Sequence, residues 1–238
     1  MVAQGDPGII NGAPSEVIIL GYAIHFSEVF PYLPLLLKGL LLSIAITVIS
    51  TLIGTFVGLF SALANLSNYN IARTISKFYV EAFRNTPLLV QMYLIYFGLG
   101  QFGIQIPPAA AAIVAMTINT GAYTAVIFEA GIQAVDIGQK EGGLVLGMKY
   151  SQTFRHVILP QAFRIVFAPL VNQAISLFLF SAVASTITVP ELTHQAMYVD
   201  SVTWRTFEVF IVTTGLYFAC TFLVSVLSDL YERTRPVR

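Results

Sequence analysis

Cysteine occurs once in this chain, at Cys220, which excludes a disulfide framework and a cysteine-based metal cluster. Histidine is nearly as scarce: His25, His156 and His194 lie far apart and form no short metal-ligand motif. Charge is scarce too, with 10% of residues ionised where a soluble domain carries about 25%. Acidic and basic residues balance at 12 each, so no bulk field draws the chain to nucleic acid. No G-x-x-x-x-G-K-[ST] stretch occurs among the 238 residues, so phosphate chemistry cannot be assigned to it. What is present is apolar: 56% of residues are hydrophobic and the mean hydropathy is +0.78. A soluble monomer of this composition would expose large apolar patches, which soluble monomers avoid. The chain therefore reads as a polytopic, all-α membrane protein.

Charged residues punctuate the apolar runs. A spanning helix needs roughly 20 apolar residues, and five stretches fit: 39–66 with a start near Pro34, 76–98, 107–128, 165–187 and 207–227. The second reaches that length only if its helix begins near Ser76. The sequence GLGQFGIQIPP at 98–108 is a Gly/Pro break, and Pro107 and Pro108 suit the first turn of the third span. A shorter apolar stretch, 17–24, cannot cross and reads as a short helix lying at the interface.

Ten of the 12 basic residues fall in three segments. Arg73, Lys77 and Arg84 lie between spans one and two. Lys140, Lys149, Arg155 and Arg164 lie between spans three and four. Arg233, Arg235 and Arg238 form the tail. The positive-inside rule places these segments in the cytoplasm, and five spans then put the N-terminus outside. The longest cytoplasmic connection, 136–164, is too polar to span. Leu144, Val145, Met148 and Phe154 give it the apolar side of a short helix pair, with Gly147 at the turn and Pro160 at the start of the fourth span. Such a pair suits docking to another protein.

These residues carry a resemblance. Glu141-Gly142-Gly143, Gly147 and Ile158-Leu159-Pro160 match the spacing of the EAA loop of ABC-importer permeases. The stretch from Phe83-Arg84-Asn85-Thr86-Pro87 to Gln91 resembles the second span of the polar amino-acid uptake subfamily, as do Gln152-Thr153-Phe154-Arg155 and Val189-Pro190-Glu191-Leu192-Thr193. The resemblance covers about residues 35 to 231. It implies a type I permease domain over 31–232, preceded by an outer segment 1–30 and followed by the basic tail 233–238. It also implies a bacterial inner-membrane location. The expected partners are an ATPase dimer, a second permease chain, an external solute-binding protein and membrane lipid. ATP and Mg would be bound by the ATPase, with no cofactor, metal or catalytic residue on this chain. The coupling residues would be Glu141, Gly142, Gly143, Gly147, Leu159 and Pro160, with Glu141 as a charged contact and the glycines in place of the family's alanines.

A solute path needs polar groups turned toward the bundle rather than lipid. The candidates are Asn119, Thr120, Tyr123 and Thr124 on span three, and Asn172, Gln173, Ser176 and Ser181 on span four. Hydrogen bonding between helices is their alternative role, and Gly54, Gly58, Ala62 and Ala64 read as packing surface. The resemblance has gaps. Related permeases often carry Lys-Asp where Leu179-Phe180 stand, and Glu and Arg where Val126 and Glu129 stand. A partner chain of different sequence would then supply the charged contacts. The expected function is ATP-driven import of a polar amino acid or similar small solute by alternating access. An amino-acid derivative such as an opine is the alternative cargo. A channel or a membrane enzyme is the alternative class, the latter disfavoured by the near absence of His, Asp and Glu in the spans.

Overall fold

The computed structural model describes residues 18–19 and 22–234. Two short antiparallel strands come first, β1 (Ile18–Ile19) and β2 (Tyr22–Ala23). The described residues of the stretch 17–24 thus form strands where an interfacial helix was expected. The β-branched Ile18 and Ile19 favour extended backbone. The rest of the 1–30 segment up to residue 17, and Arg235 and Arg238 of the tail, lie outside the described residues.

Ten α-helices follow. They are α1 (Leu33–Asn65), α2 (Asn70–Arg84), α3 (Leu88–Tyr93), α4 (Leu99–Gln101) and α5 (Pro108–Gln133), then α6 (Ile137–Val145), α7 (Tyr150–Thr153), α8 (Leu159–Phe180), α9 (Leu192–Thr203) and α10 (Thr206–Thr234). A π-helical turn at Leu94–Gly98 joins α3 to α4. Another at Phe154–Ile158 joins α7 to α8, and a 3-10 turn extends α8 to Ile187. Among the described residues, four continuous helices are long and apolar enough to cross a membrane: Phe26–Asn65, Pro108–Gln133, Tyr150–Ile187 and Thr206–Thr234. Leu88–Gln101 is a shorter apolar helix. The expected five spans are thus four long helices and one short one.

The second expected span, 76–98, is not one helix. Pro87 has no N–H to donate and drives the residue before it out of the α region, so α2 stops at Arg84 and α3 restarts at Leu88. The helix then runs through Gly98 to Gln101, so the break begins later than expected, where Gly103 takes φ +79°. The fourth span begins earlier than expected. Pro160 falls in the first turn of α8, directly after the π turn, inside a helix that is continuous from Tyr150.

The bundle centres on α5. Ala111, Ala112, Ala115, Ala122 and Ala125 are fully buried, and such small side chains let helices approach closely. Gly54 and Gly58 of α1 lie directly against it: a Cβ on Gly54 would fall 3.0 Å from the Thr117 carbonyl, and one on Gly58 2.8 Å from the Gly121 carbonyl. The packing role expected of these glycines is the one they perform. The connection 136–164 lies at one end of the bundle, and α9 at the other.

Candidate functional site

The loop 136–164 is an ordered helical corner. Asp136 caps α6, its carboxylate accepting the Gly138 N–H at 2.7 Å. This satisfies one of the four orphan donors at the helix start. At the other end the Met148 N–H reaches the Gly143 carbonyl and the Gly147 N–H that of Leu144, both at 3.0–3.1 Å. Gly147 closes the turn at φ +78°, a conformation that costs a side-chain-bearing residue about 1–2 kcal/mol. Gly143 is buried under α7: a Cβ there would lie 2.6 Å from the Thr153 Cγ2. Gly142 faces open space.

The outer side of this corner is unusual for a polar loop. Glu141 is exposed, and Ile137, Val145 and Leu146 are 70%, 86% and 83% exposed. Lys140 lies over the Tyr150 ring at 5.4 Å. Leu159 and Pro160 are set back, in the wall of a cavity of about 840 Å³ between the start of α8 and the end of α10. The structure thus brings Glu141, Gly142, Gly143 and Gly147 together, with Leu159 and Pro160 behind them.

Of the polar candidates, Thr120 is buried with its hydroxyl unpartnered among the described residues, and the others divide into two groups. Asn119 is buried and donates to Gln91 Oε1 at 3.2 Å, while Gln91 Nε2 donates to the Phe83 carbonyl, the Thr86 carbonyl and Thr86 Oγ1 at 2.8–3.0 Å. This knot ties α5 across the α2–α3 break and satisfies carbonyls that Pro87 left free. Arg84 stacks over the Tyr123 ring at 5.4 Å beside it. Thr124 donates into backbone carbonyls of α1 and α5, and Ser181 into the Phe178 carbonyl. By contrast, Asn172, Gln173 and Ser176 make no hydrogen bond among the described residues, and Asn172 is exposed midway along α8. Glu129 is half-buried and holds Asn65 Nδ2 at 3.1 Å.

The profile of binding-protein-dependent transport system inner membrane components matches residues 54–235. The chain belongs to that family. It is 34% identical over 211 residues to the arginine transport system permease protein ArtQ of Bacillus subtilis (strain 168), covering 88% of this chain and 96% of the relative. It is 39% identical over 181 residues to the nopaline transport system permease protein NocM of Agrobacterium fabrum, covering 72% and 75%. A solved chain described as an amino acid ABC transporter with histidines superposes with TM-score 0.85 at 41% identity, covering 89% of this chain and 99% of that one. The chain therefore has the type I permease fold, in a family that carries the EAA motif.

Gln91 had no expected role of its own, and no helix was expected in 185–206. The structure places α9 there, capped by Glu191, which accepts the Thr193 and His194 N–H groups. An acidic cap followed by Leu192, Ala196 and Val199 at helical spacing was the available signal.

Proposed function

We propose that this permease is half of the membrane core of an ATP-driven importer for a polar amino acid. Its partners are a second permease chain, an ATPase dimer on the side of α6, and an external solute-binding protein on the side of α9. The observation that carries this reading is the corner at 136–148. A capped helix and a left-handed glycine turn expose Glu141 beside Ile137, Leu144, Val145 and Leu146, in a connection that lies outside the long apolar helices. Closure of the ATPase pair on nucleotide would push this corner, and the stacked α7–α8 helix would carry the push into the bundle as a rigid-body switch. ATP and Mg belong to the ATPase in this reading.

The unpaired stripe of Asn172, Gln173 and Ser176 is the best-placed solute path. Polar groups in a spanning helix turn toward a partner chain or a water-filled cavity. Leu179 and Phe180, 49% and 56% exposed, bring no charge to it, which favours a partner permease of different sequence. The likeness to a nopaline permease keeps an opine-like cargo as the second reading.

Glu141→Lys tests the coupling role. Tagged wild-type permease is expected to retain the ATPase on purification. The variant is expected to lose it by about tenfold or more, as for a buried charge contact that is reversed. Wild-type retention and normal uptake in the variant would remove Glu141 from the interface.

A further inference from the structure

Glu191 makes more bonds than a helix cap requires. Its side chain is fully buried. One carboxylate oxygen accepts the His194 N–H at 2.8 Å, and the other accepts the Thr193 N–H at 3.0 Å. Those two bonds complete the cap. The second oxygen also accepts the Ser43 hydroxyl of α1 at 3.2 Å and the Tyr217 hydroxyl of α10 at 3.0 Å. Ser43 in turn accepts the Leu192 N–H at 3.1 Å, and Tyr217 Oη lies 3.0 Å from Thr193 Oγ1. Burial pushes the Glu191 carboxyl above its ordinary value, against the four hydrogen bonds that pull it down.

The surroundings leave α9 little choice of position. A Cβ on Gly39 of α1 would lie 2.8 Å from Gln195 Cγ and 2.9 Å from Leu192 Cα, so the two helices touch backbone to backbone. Leu192, Ala196 and Val199 pack with Leu36, Leu40 and Val209. The chain turns sharply on both sides of α9, at Thr188 with φ 66° and at Trp204 with φ 56°. Residues other than glycine hold such angles only where the surroundings over-determine them. The opposite side of α9 is free: Met197, Tyr198 and Trp204 are 55%, 52% and 85% exposed.

We infer that Glu191 is a positioning residue that locks α9 to α1 and α10, so that a load on the exposed side of α9 moves both long helices together. The inference rests on the importer reading, which assigns that side to the external binding protein. It adds the residue through which docking would reach the spans.

The test uses the assembled transporter in liposomes, with Ser43→Ala, Tyr217→Phe and the double variant. These remove the arms to α1 and α10 and keep both cap bonds to the Thr193 and His194 N–H groups. Hydrogen exchange reads the lock itself. In the wild type, amides of α9 are expected to open together with the facing turns of α1 and α10. In the double variant α9 is expected to open alone, about tenfold or more faster, because the two hydroxyls and their four contacts to Glu191, Leu192 and Thr193 are gone. Stimulation of ATP hydrolysis by the solute-loaded binding protein is expected to fall by about the same factor, at an unchanged half-saturating concentration and unchanged basal rate. If assembly of the double variant fails, Tyr217→Phe alone carries the comparison, with a smaller shift in the same direction.

Wild-type exchange of α9 independent of α1 and α10, or unchanged exchange in the variants, would overturn the lock. So would a shift in half-saturating concentration without loss of maximal stimulation, which marks a mere surface effect. A wild-type transporter that no binding protein stimulates, with the exchange pattern as expected, would overturn the importer reading and uphold the lock.

Discussion

Two neighbouring glycines in the EAA-type loop have opposite requirements. Gly142 faces open space, whereas Gly143 is pressed against Thr153. Alanine in place of Gly142 is expected to raise the melting temperature of the purified permease slightly, since glycine costs a helix about 1 kcal/mol. Alanine in place of Gly143 is expected to lower it, because α6 must lift off α7 to admit the methyl group. A thermal melt in detergent separates the two, and an equal response would show that the corner is looser than described. The Asn119–Gln91 pair allows a second comparison. Asn119→Ala leaves Gln91 Oε1 buried without its donor, at a cost of about 1–3 kcal/mol. The same melt should show a clear drop, whereas Asn172→Ala, with no internal partner, should leave stability unchanged and slow uptake instead.

At the scale of elements, the contact of α1 with α5 is the least forgiving. A side chain on Gly58 would meet Thr124 Oγ1 and the Ala125 N. Gly58→Val is therefore expected to abolish accumulation of the permease in membranes. Gly215→Val on α10, where nothing lies within 4 Å, should be tolerated. An immunoblot of membrane fractions reads both, and normal accumulation of the Gly58 variant would contradict the packing. Much of this level was legible in advance. Charge gaps located the four long helices, and the glycines of α1 read as packing surface because small residues in an apolar run have little else to do. Two elements were misread for physical reasons. The Arg84–Leu88 break depends on one proline outweighing a strong apolar pattern, and the segment was long enough to span only if Pro87 were ignored. The α9 helix was hidden by its polar Thr193, His194, Gln195 and Asp200, whose backbone lies over a buried seam that no run of hydrophobic residues announces. The candidate loop was legible from motif spacing. The division of path residues into a knotted and an unpaired group was not, because Asn119 and Asn172 differ only in what the fold puts beside them.

At the scale of the molecule, the chain is incomplete by itself. Its apolar handle at 137–146, its unpaired polar stripe on α8 and the exposed side of α9 point to three different surfaces, and the proposed ATPase, second permease and binding protein would each cover one. The central claim is that the handle is cytoplasmic and gripped by the ATPase. Labelling decides it, and the single native cysteine makes the background simple. Leu146→Cys in a Cys220→Ser chain is treated with a membrane-impermeant maleimide, in intact cells and in inverted vesicles, with and without the ATPase. The account predicts labelling only in inverted vesicles and protection when the ATPase is bound. Labelling of intact cells, or no protection by the ATPase, would contradict it.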